Sequence, residues 1–144
     1  MKVRDMLRAK GDHVETILPD ATVTMAVHKL VANNIGALVV SVDGAEVLGV
    51  FSERDVVRAL ARQGAQLLEL RVRDVMSRGT PWCAPDDPLS RVMAEMTRSR
   101  NRHLPVVDDG RLQGLVSIGD VVKHRMEEIE LQSNVLRDAY IARP

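Results

Sequence analysis

The feature that most constrains this chain is that it repeats itself. Val3-Arg4-Asp5-Met6 is answered by Val72-Arg73-Asp74-Val75-Met76, and Pro19-Asp20 by Pro85-Asp86. Gly49-Val50-Phe51-Ser52-Glu53-Arg54-Asp55-Val56-Val57 is answered by Gly114-Leu115-Val116-Ser117-Ile118-Gly119-Asp120-Val121-Val122. The three landmarks recur in one order, at offsets of 69, 66 and 65 residues. The drift has a local source: Val40 to Gly49 is nine residues and Val107 to Gly114 is seven, so the second hairpin is the shorter. A chain of 144 residues can bury roughly two-thirds of its unfolded surface, whereas half of it would be marginal alone. Two pseudo-symmetric halves sharing a core are therefore expected.

Within each half the period of the apolar residues changes along the chain. Val23, Ala26, Val27, Leu30 and Val31 lie at helical spacing, and Leu89, Val92, Met93 and Met96 repeat it. Ala37 to Val42 and Val47 to Phe51 flank Asp43-Gly44, while Leu104 to Val107 and Leu112 to Val116 flank Asp109-Gly110, so each half holds a strand, a turn and a strand. A second helix follows, carrying Val56, Val57, Leu60 and Ala61 in one copy and Val121, Val122 and Met126 in the other. The fold class is α/β, with helix, strand, strand, helix in each half and small sheets. Boundaries fall at 1–63 for the first repeat, 64–71 for a linker, 72–127 for the second repeat and 128–144 for a C-terminal helical extension. Val122, Met126, Ile129, Leu136 and Tyr140 follow a four-three spacing with Ser133 filling one slot, a seam with two readings: packing within the chain or contact with a second copy.

Twenty basic and twenty acidic residues cancel, and nucleic-acid binders usually carry a basic excess, so nucleic acid is not expected as a partner. One Phe, one Trp and one Tyr are too few for a base-stacking platform. Apolar runs such as Ala37-Leu38-Val39-Val40 are far short of the roughly 20 residues a membrane-spanning helix needs. The N-terminus lacks the apolar core of a secretory signal, and a lone Cys83 suits a reducing compartment, so the expected location is the cytoplasm. His13, His28, His103 and His124 are scattered without metal-ligand spacing. Nor does the sequence set any nucleophile beside a base, Cys83 having only His103 as a candidate neighbour, so no catalysis is expected. Met25, Met93 and Met96 fall on or beside the apolar helical patterns and read as core filling.

Ser52-x-x-Asp55 and Ser117-x-x-Asp120 both stand where a strand hands over to a helix. The commonest meaning of that pattern is a capping box, stabilising by about 1 kcal/mol. The same geometry also suits a nucleotide: helix N-terminal amides favour phosphate, and a carboxylate can accept from both ribose hydroxyls. Ile35-Gly36-Ala37 could cover an adenine, with Gly36 allowing close backbone approach. Trp82 could stack on the base or pack on a neighbouring helix. Arg98, Arg100 and Arg102 read by themselves as a solvated helix end.

The phrase running from Gly49 to Arg58, preceded by Asn34-Ile35-Gly36-Ala37-Leu38-Val39-Val40, resembles the signature of CBS (cystathionine-beta-synthase-type) domains. So does the second copy, from Arg102-His103-Leu104-Pro105 through Ser117-Ile118-Gly119-Asp120, and the resemblance extends from about Val3 to about Glu127. It implies two repeats packed about a pseudo-twofold axis, usually dimerised into a flat disc, with clefts that take AMP, ADP, ATP, NAD(H) or S-adenosylmethionine. It further implies that each cleft draws Ser-x-x-Asp from one repeat and its adenine-facing strands from the other. Ser52, Arg54 and Asp55 should then meet Trp82, Cys83, Arg102, His103 and Pro105. Ser117, Ile118 and Asp120 should meet His13, Val14, Thr16, Ile35, Gly36 and Ala37.

The first of these clefts gathers Arg54, Arg102 and His103, whereas the matching positions of the second are Gly119 and Ile35-Gly36. The Asp55 cleft is expected to take the more phosphorylated ligand. The resemblance thus points to a non-enzymatic homodimeric sensor of an adenosyl nucleotide, acting on a separate effector protein. The rival is a constitutive scaffold dimer with unoccupied clefts.

Overall fold

A computed structural model describes residues 1–142. The first half comprises α1 (Val3–Lys10), β1 (Thr16–Ile17), α2 (Val23–Asn33), β2 (Ala37–Val40), β3 (Gly49–Ser52) and α3 (Glu53–Gln63). A short 3-10 helix (Gly64–Glu69) leads to α4 (Val72–Val75), α5 (Leu89–Ser99), β4 (His103–Asp108), β5 (Arg111–Ser117) and α6 (Ile118–Ile141). The expected α/β order thus recurs in both halves.

Local chemistry explains the element ends. Thr22 caps α2 by accepting from the Met25 amide, and Asn34 closes it with a left-handed backbone at φ 51°. Arg100 stands at the equivalent end of α5 with φ 57°. In the second hairpin Asp109 and Gly110 both have positive φ, the conformation that a two-residue turn between twisted strands requires. The first hairpin departs from expectation: β2 stops at Val40 and β3 starts only at Gly49. Asp43 accounts for this, because its Oδ1 takes the amides of Ala45 and Glu46 at 2.8 and 2.9 Å and so folds the intervening segment into a compact loop.

In the first sheet β1 runs parallel to β2, which pairs antiparallel with β3. The second sheet is the antiparallel pair β4–β5, and Cys83 bridges Val106 in parallel where Ile17 meets Val40 in the first repeat.

The packing units are not the sequence repeats. Val3, Met6 and Leu7 of α1 are buried with Leu89, Val92, Leu104, Val116 and Val121 of the second repeat. Val72 and Met76 are buried with Val23, Leu38 and Phe51 of the first. The exchange is reciprocal to the level of single hydrogen bonds. Val3 N donates to Asp87 O and Arg4 N to Pro85 O, both over 2.9 Å, while Val72 N donates to Ala21 O and Arg73 N to Pro19 O. Arg4 pairs with Asp86, and Arg73 pairs with Asp20. The Pro-Asp landmarks of the sequence are therefore the docking points of the exchanged helices. The segment 64–71 is no loose tether, since Leu67 is buried in the first core.

The seam residues do not pack within the chain. α6 runs unbroken from Ile118 to Ile141, across the expected junction of second repeat and helical extension, and Val122, Met126, Ile129, Leu136 and Tyr140 are all exposed. Positions 143 and 144 of the expected extension lie outside the described residues. Met96 is buried and Met93 packs against the core as expected, but Met25 is exposed, and so are Val31, Val57 and Leu60 on the outer faces of α2 and α3. No described helix is long and apolar enough to cross a membrane.

Candidate functional site

Two hollows lie between the halves, each at the start of a helix that follows a hairpin. The first, about 270 Å³, is lined by Ser52, Arg54 and Asp55 from one repeat and by Arg102 and His103 from the other, as expected. Gly36, Glu53, Ser77, Thr80, Arg100 and Asn101 complete it, with Val50 and Val57 supplying apolar wall. The second, about 530 Å³, brings Ser117 and Asp120 together with His13, Val14, Ile35, Gly36 and Ala37, again as expected, and adds Lys10 and Glu15.

The wall between the hollows is thin. Gly36 and His103 line both. A Cβ on Gly36 would stand 3.2 Å from Cε1 of His103, so glycine is what lets the imidazole lie against the backbone there. Burial pushes the His103 imidazolium toward losing its proton, more strongly than Glu53 and Asp120 favour keeping it, so its pKa lies below the usual histidine value.

Both aspartates are engaged. The Asp55 carboxylate, 4% exposed, accepts from Ser52 N at 2.8 Å and Ser52 Oγ at 3.1 Å on one oxygen, and from Ser77 Oγ at 2.6 Å on the other. Asp120 Oδ2 accepts from Ser117 N at 3.0 Å and from Lys10 Nζ at 2.6 Å, while its amide donates to Ser117 Oγ. Burial raises the pKa of Asp120, but the Lys10 ammonium and the Ser117 donors outweigh it and hold the carboxyl below its usual value. The first amide of each helix is used as well: Glu53 N donates to Gly36 O, and Ile118 N to Arg102 O. The first hollow also gathers the guanidinium groups of Arg54, Arg100 and Arg102, with Arg54 Nη1 donating to Arg100 O at 3.0 Å.

Five expected lining residues lie elsewhere. Cys83 is 3% exposed within the second core, where burial and the nearby Asp87 push its thiol up to about 12. Its bridge to Val106 sets it on the core face, and strand alternation then turns Trp82 and Pro105 to the opposite side. Those two line a separate recess with Gly49, Thr80 and Val107, and Trp82 is 60% exposed there. Thr16, the counterpart of Trp82 one repeat earlier, lies in a recess with Asp12, Leu112 and Gln113. Ile118 is exposed and lines neither hollow.

The electrostatic contrast between the hollows also needs correction. The second holds a cation, Lys10, because α1 crosses to the second repeat and brings its last residue beside Asp120. Ser77 arrives beside Asp55 in the same way, just beyond α4. Neither repeat motif contains either residue, and a segment carried over from the other half was the one signal that could have found them.

A family model, the CBS domain, matches residues 3–62 and 72–127. The CBS domain-containing protein CBSX3, mitochondrial, of Arabidopsis thaliana is 32% identical over an alignment of 151 positions that covers 96% of this chain and 73% of the plant protein. Among solved structures, the CBS-domain containing protein ATU1752 from Agrobacterium tumefaciens shares 43% identity with a TM-score of 0.84, over 87% of this chain and 99% of that one. The CBS domain pair of protein MJ0100, solved in complex with 5′-methylthioadenosine and S-adenosyl-L-methionine, superposes with a TM-score of 0.78 over 89% of this chain and 98% of that one; at 22% identity this is a likeness of fold. With its two matched repeats, the chain belongs to the CBS domain family as a tandem pair.

Proposed function

We propose that the chain is a regulatory module that binds an adenosyl ligand in the hollow between Asp55 and His103, works as a homodimer, and signals to a separate effector protein. The observation that carries this reading is the convergence of Arg54, Arg100 and Arg102 on one hollow that also has apolar wall and small hydroxyl donors. Guanidinium forks suit phosphate, and Val50 and Val57 suit the face of a base. AMP is the expected ligand, with ADP, ATP, NAD(H) and S-adenosylmethionine as alternatives. That the MJ0100 pair was solved with two adenosyl compounds supports the class of ligand.

The homodimer rests on the apolar side chains left uncovered on α2, α3 and α6, including Met25, Val57, Met126 and Ile129. A cytoplasmic location, where a free thiol such as Cys83 persists, fits the same reading. Ligand contacts to both halves bias their relative arrangement by no more than the ligand's differential affinity for the two arrangements.

A second reading, a constitutive scaffold dimer, draws support from the internal donors already on Asp55 and Asp120. Thermal melting of nucleotide-free protein separates the two. A hundredfold excess over Kd adds about 2.7 kcal/mol, or roughly 5–10 °C for a chain of this size. A rise with AMP that is lost in Arg54→Ala/Arg102→Ala supports sensing; no shift with any adenosyl ligand supports the scaffold.

A further inference from the structure

In both hollows the aspartate is held by a donor that arrives with an exchanged helix, and the two donors differ in charge. Ser77 Oγ meets Asp55 from beyond α4, and Lys10 Nζ meets Asp120 from the end of α1. Lys10 also donates to Leu115 O at 2.8 Å, and its side chain is 31% exposed, so the ammonium is fixed and partly desolvated. The other acid of the second hollow is committed elsewhere: Glu15 is bonded by His13 at 2.8 Å and lies 3.4 Å from Lys29.

Resting on the reading that these hollows take adenosyl ligands, we propose that Lys10 is a specificity-determining residue: it makes the Asp120 hollow select ligands that carry a phosphate over uncharged ones. Asp120 Oδ2 already takes Lys10 Nζ and Ser117 N, so a ribose whose two hydroxyls bridge both carboxylate oxygens competes with the ammonium for Oδ2. An uncharged ligand leaves Lys10 with no anion in a partly dry site, and that cost falls on binding. A phosphate on the same ligand gives the ammonium a new partner, so one ion pair replaces another. In the Asp55 hollow the displaced group is a neutral hydroxyl, and exchanging it for a ribose hydroxyl changes no charge.

Amide resonances of the isotope-labelled full chain separate the hollows, with Leu115 and Ser117 reporting on the second and Ser77 and Thr80 on the first. Titrations with AMP and with 5′-methylthioadenosine, which has no phosphate, are compared in wild type, Lys10→Met and Lys10→Arg. In wild type AMP should bind the second hollow at least about tenfold tighter than methylthioadenosine, the size expected for one charge-assisted contact. Lys10→Met, which keeps the apolar stem, should weaken AMP and strengthen methylthioadenosine there until the preference is gone, and Lys10→Arg should retain it. Affinities at Ser77 and Thr80 should not follow the substitution. Equal binding of both compounds at the second hollow of wild type, or a preference that survives in Lys10→Met, overturns the proposal while leaving nucleotide sensing intact. No response at either hollow to either compound in any of the three proteins overturns both.

Discussion

Ser77 and Asp55 share a 2.6 Å hydrogen bond that ties the end of an exchanged helix to the start of α3. The tie is reinforced by a two-way backbone bridge, with Val50 N donating to Ser77 O at 3.0 Å and Ser77 N to Val50 O at 2.9 Å. Gly49 makes the bridge possible, since a Cβ there would lie 2.6 Å from Ser77 O. Its counterpart Gly114 faces the tip of Leu7 at 2.7 Å instead. Backbone cannot yield as a leucine rotamer can. Gly49→Ala should destabilise by about 3 kcal/mol and Gly114→Ala by about 1 kcal/mol, read from urea midpoints. Equal losses would mean that the exchanged segment near Ser77 is as compliant as a side chain.

The thin wall between the hollows predicts a coupled effect. Gly36→Ala drives a methyl group against His103, whose ring borders both hollows. Adenosyl-ligand affinity should fall several-fold at both, with the melting temperature changed by only a few degrees. Calorimetric titration of the variant checks this; a loss confined to one hollow would show that the ring has a single escape route.

His103 also sets a pH dependence. Its folded pKa lies below the ordinary 6.5, so between the two values the unfolded chain binds more protons than the folded one. The contribution is fully present above 6.5 and is lost as pH falls from there through the folded value. Melting temperature should decline across that window in wild type and less steeply in His103→Gln. Asp120 acts lower: its depressed pKa gives stability present above the ordinary 3.8 and lost as pH falls through the folded value, a loss that Asp120→Asn should flatten.

Cys83 should be chemically silent in the native protein. A thiol pushed up to about 12 within the second core holds almost no thiolate at pH 8, so alkylation by iodoacetamide should need unfolding. Labelling followed by mass spectrometry at increasing urea should track the global transition; rapid labelling in the absence of urea would mean that the strand bridging Cys83 to Val106 opens locally.

The uncovered face of α6 predicts an assembly effect. Met126→Glu/Ile129→Glu places charges on side chains already in contact with solvent, so the folded chain should lose little stability. If the face joins two copies, sedimentation should show a shift toward monomer at micromolar concentration. An unchanged dimer would move the interface to α2 and α3.

What the sequence made legible was what is periodic or repeated. Helical spacing from Val23 to Val31 marked α2, and the paired Ser-x-x-Asp phrases marked the two helix starts that line the hollows. Met25 and Val31 show the limit of that reading, because spacing gives a face but not which edge of it is covered. Cys83 and Trp82 line neither hollow, because the face of a strand residue depends on register, which pairing with Val106 settles and one sequence does not. Lys10 stands 110 residues from Asp120, beyond the reach of any local pattern.

The exchange of α1 and α4 bears on how such a chain can be divided or enlarged. A single repeat made on its own would carry a leading helix with nowhere to dock and an apolar floor with nothing to cover it. Each lack is the complement of the other, so two separate copies could satisfy both by lending their first helices. The tandem chain is the covalent form of that loan. Breaking it within 64–71 should therefore yield two fragments that recover their structure only by finding each other, rather than two independent domains.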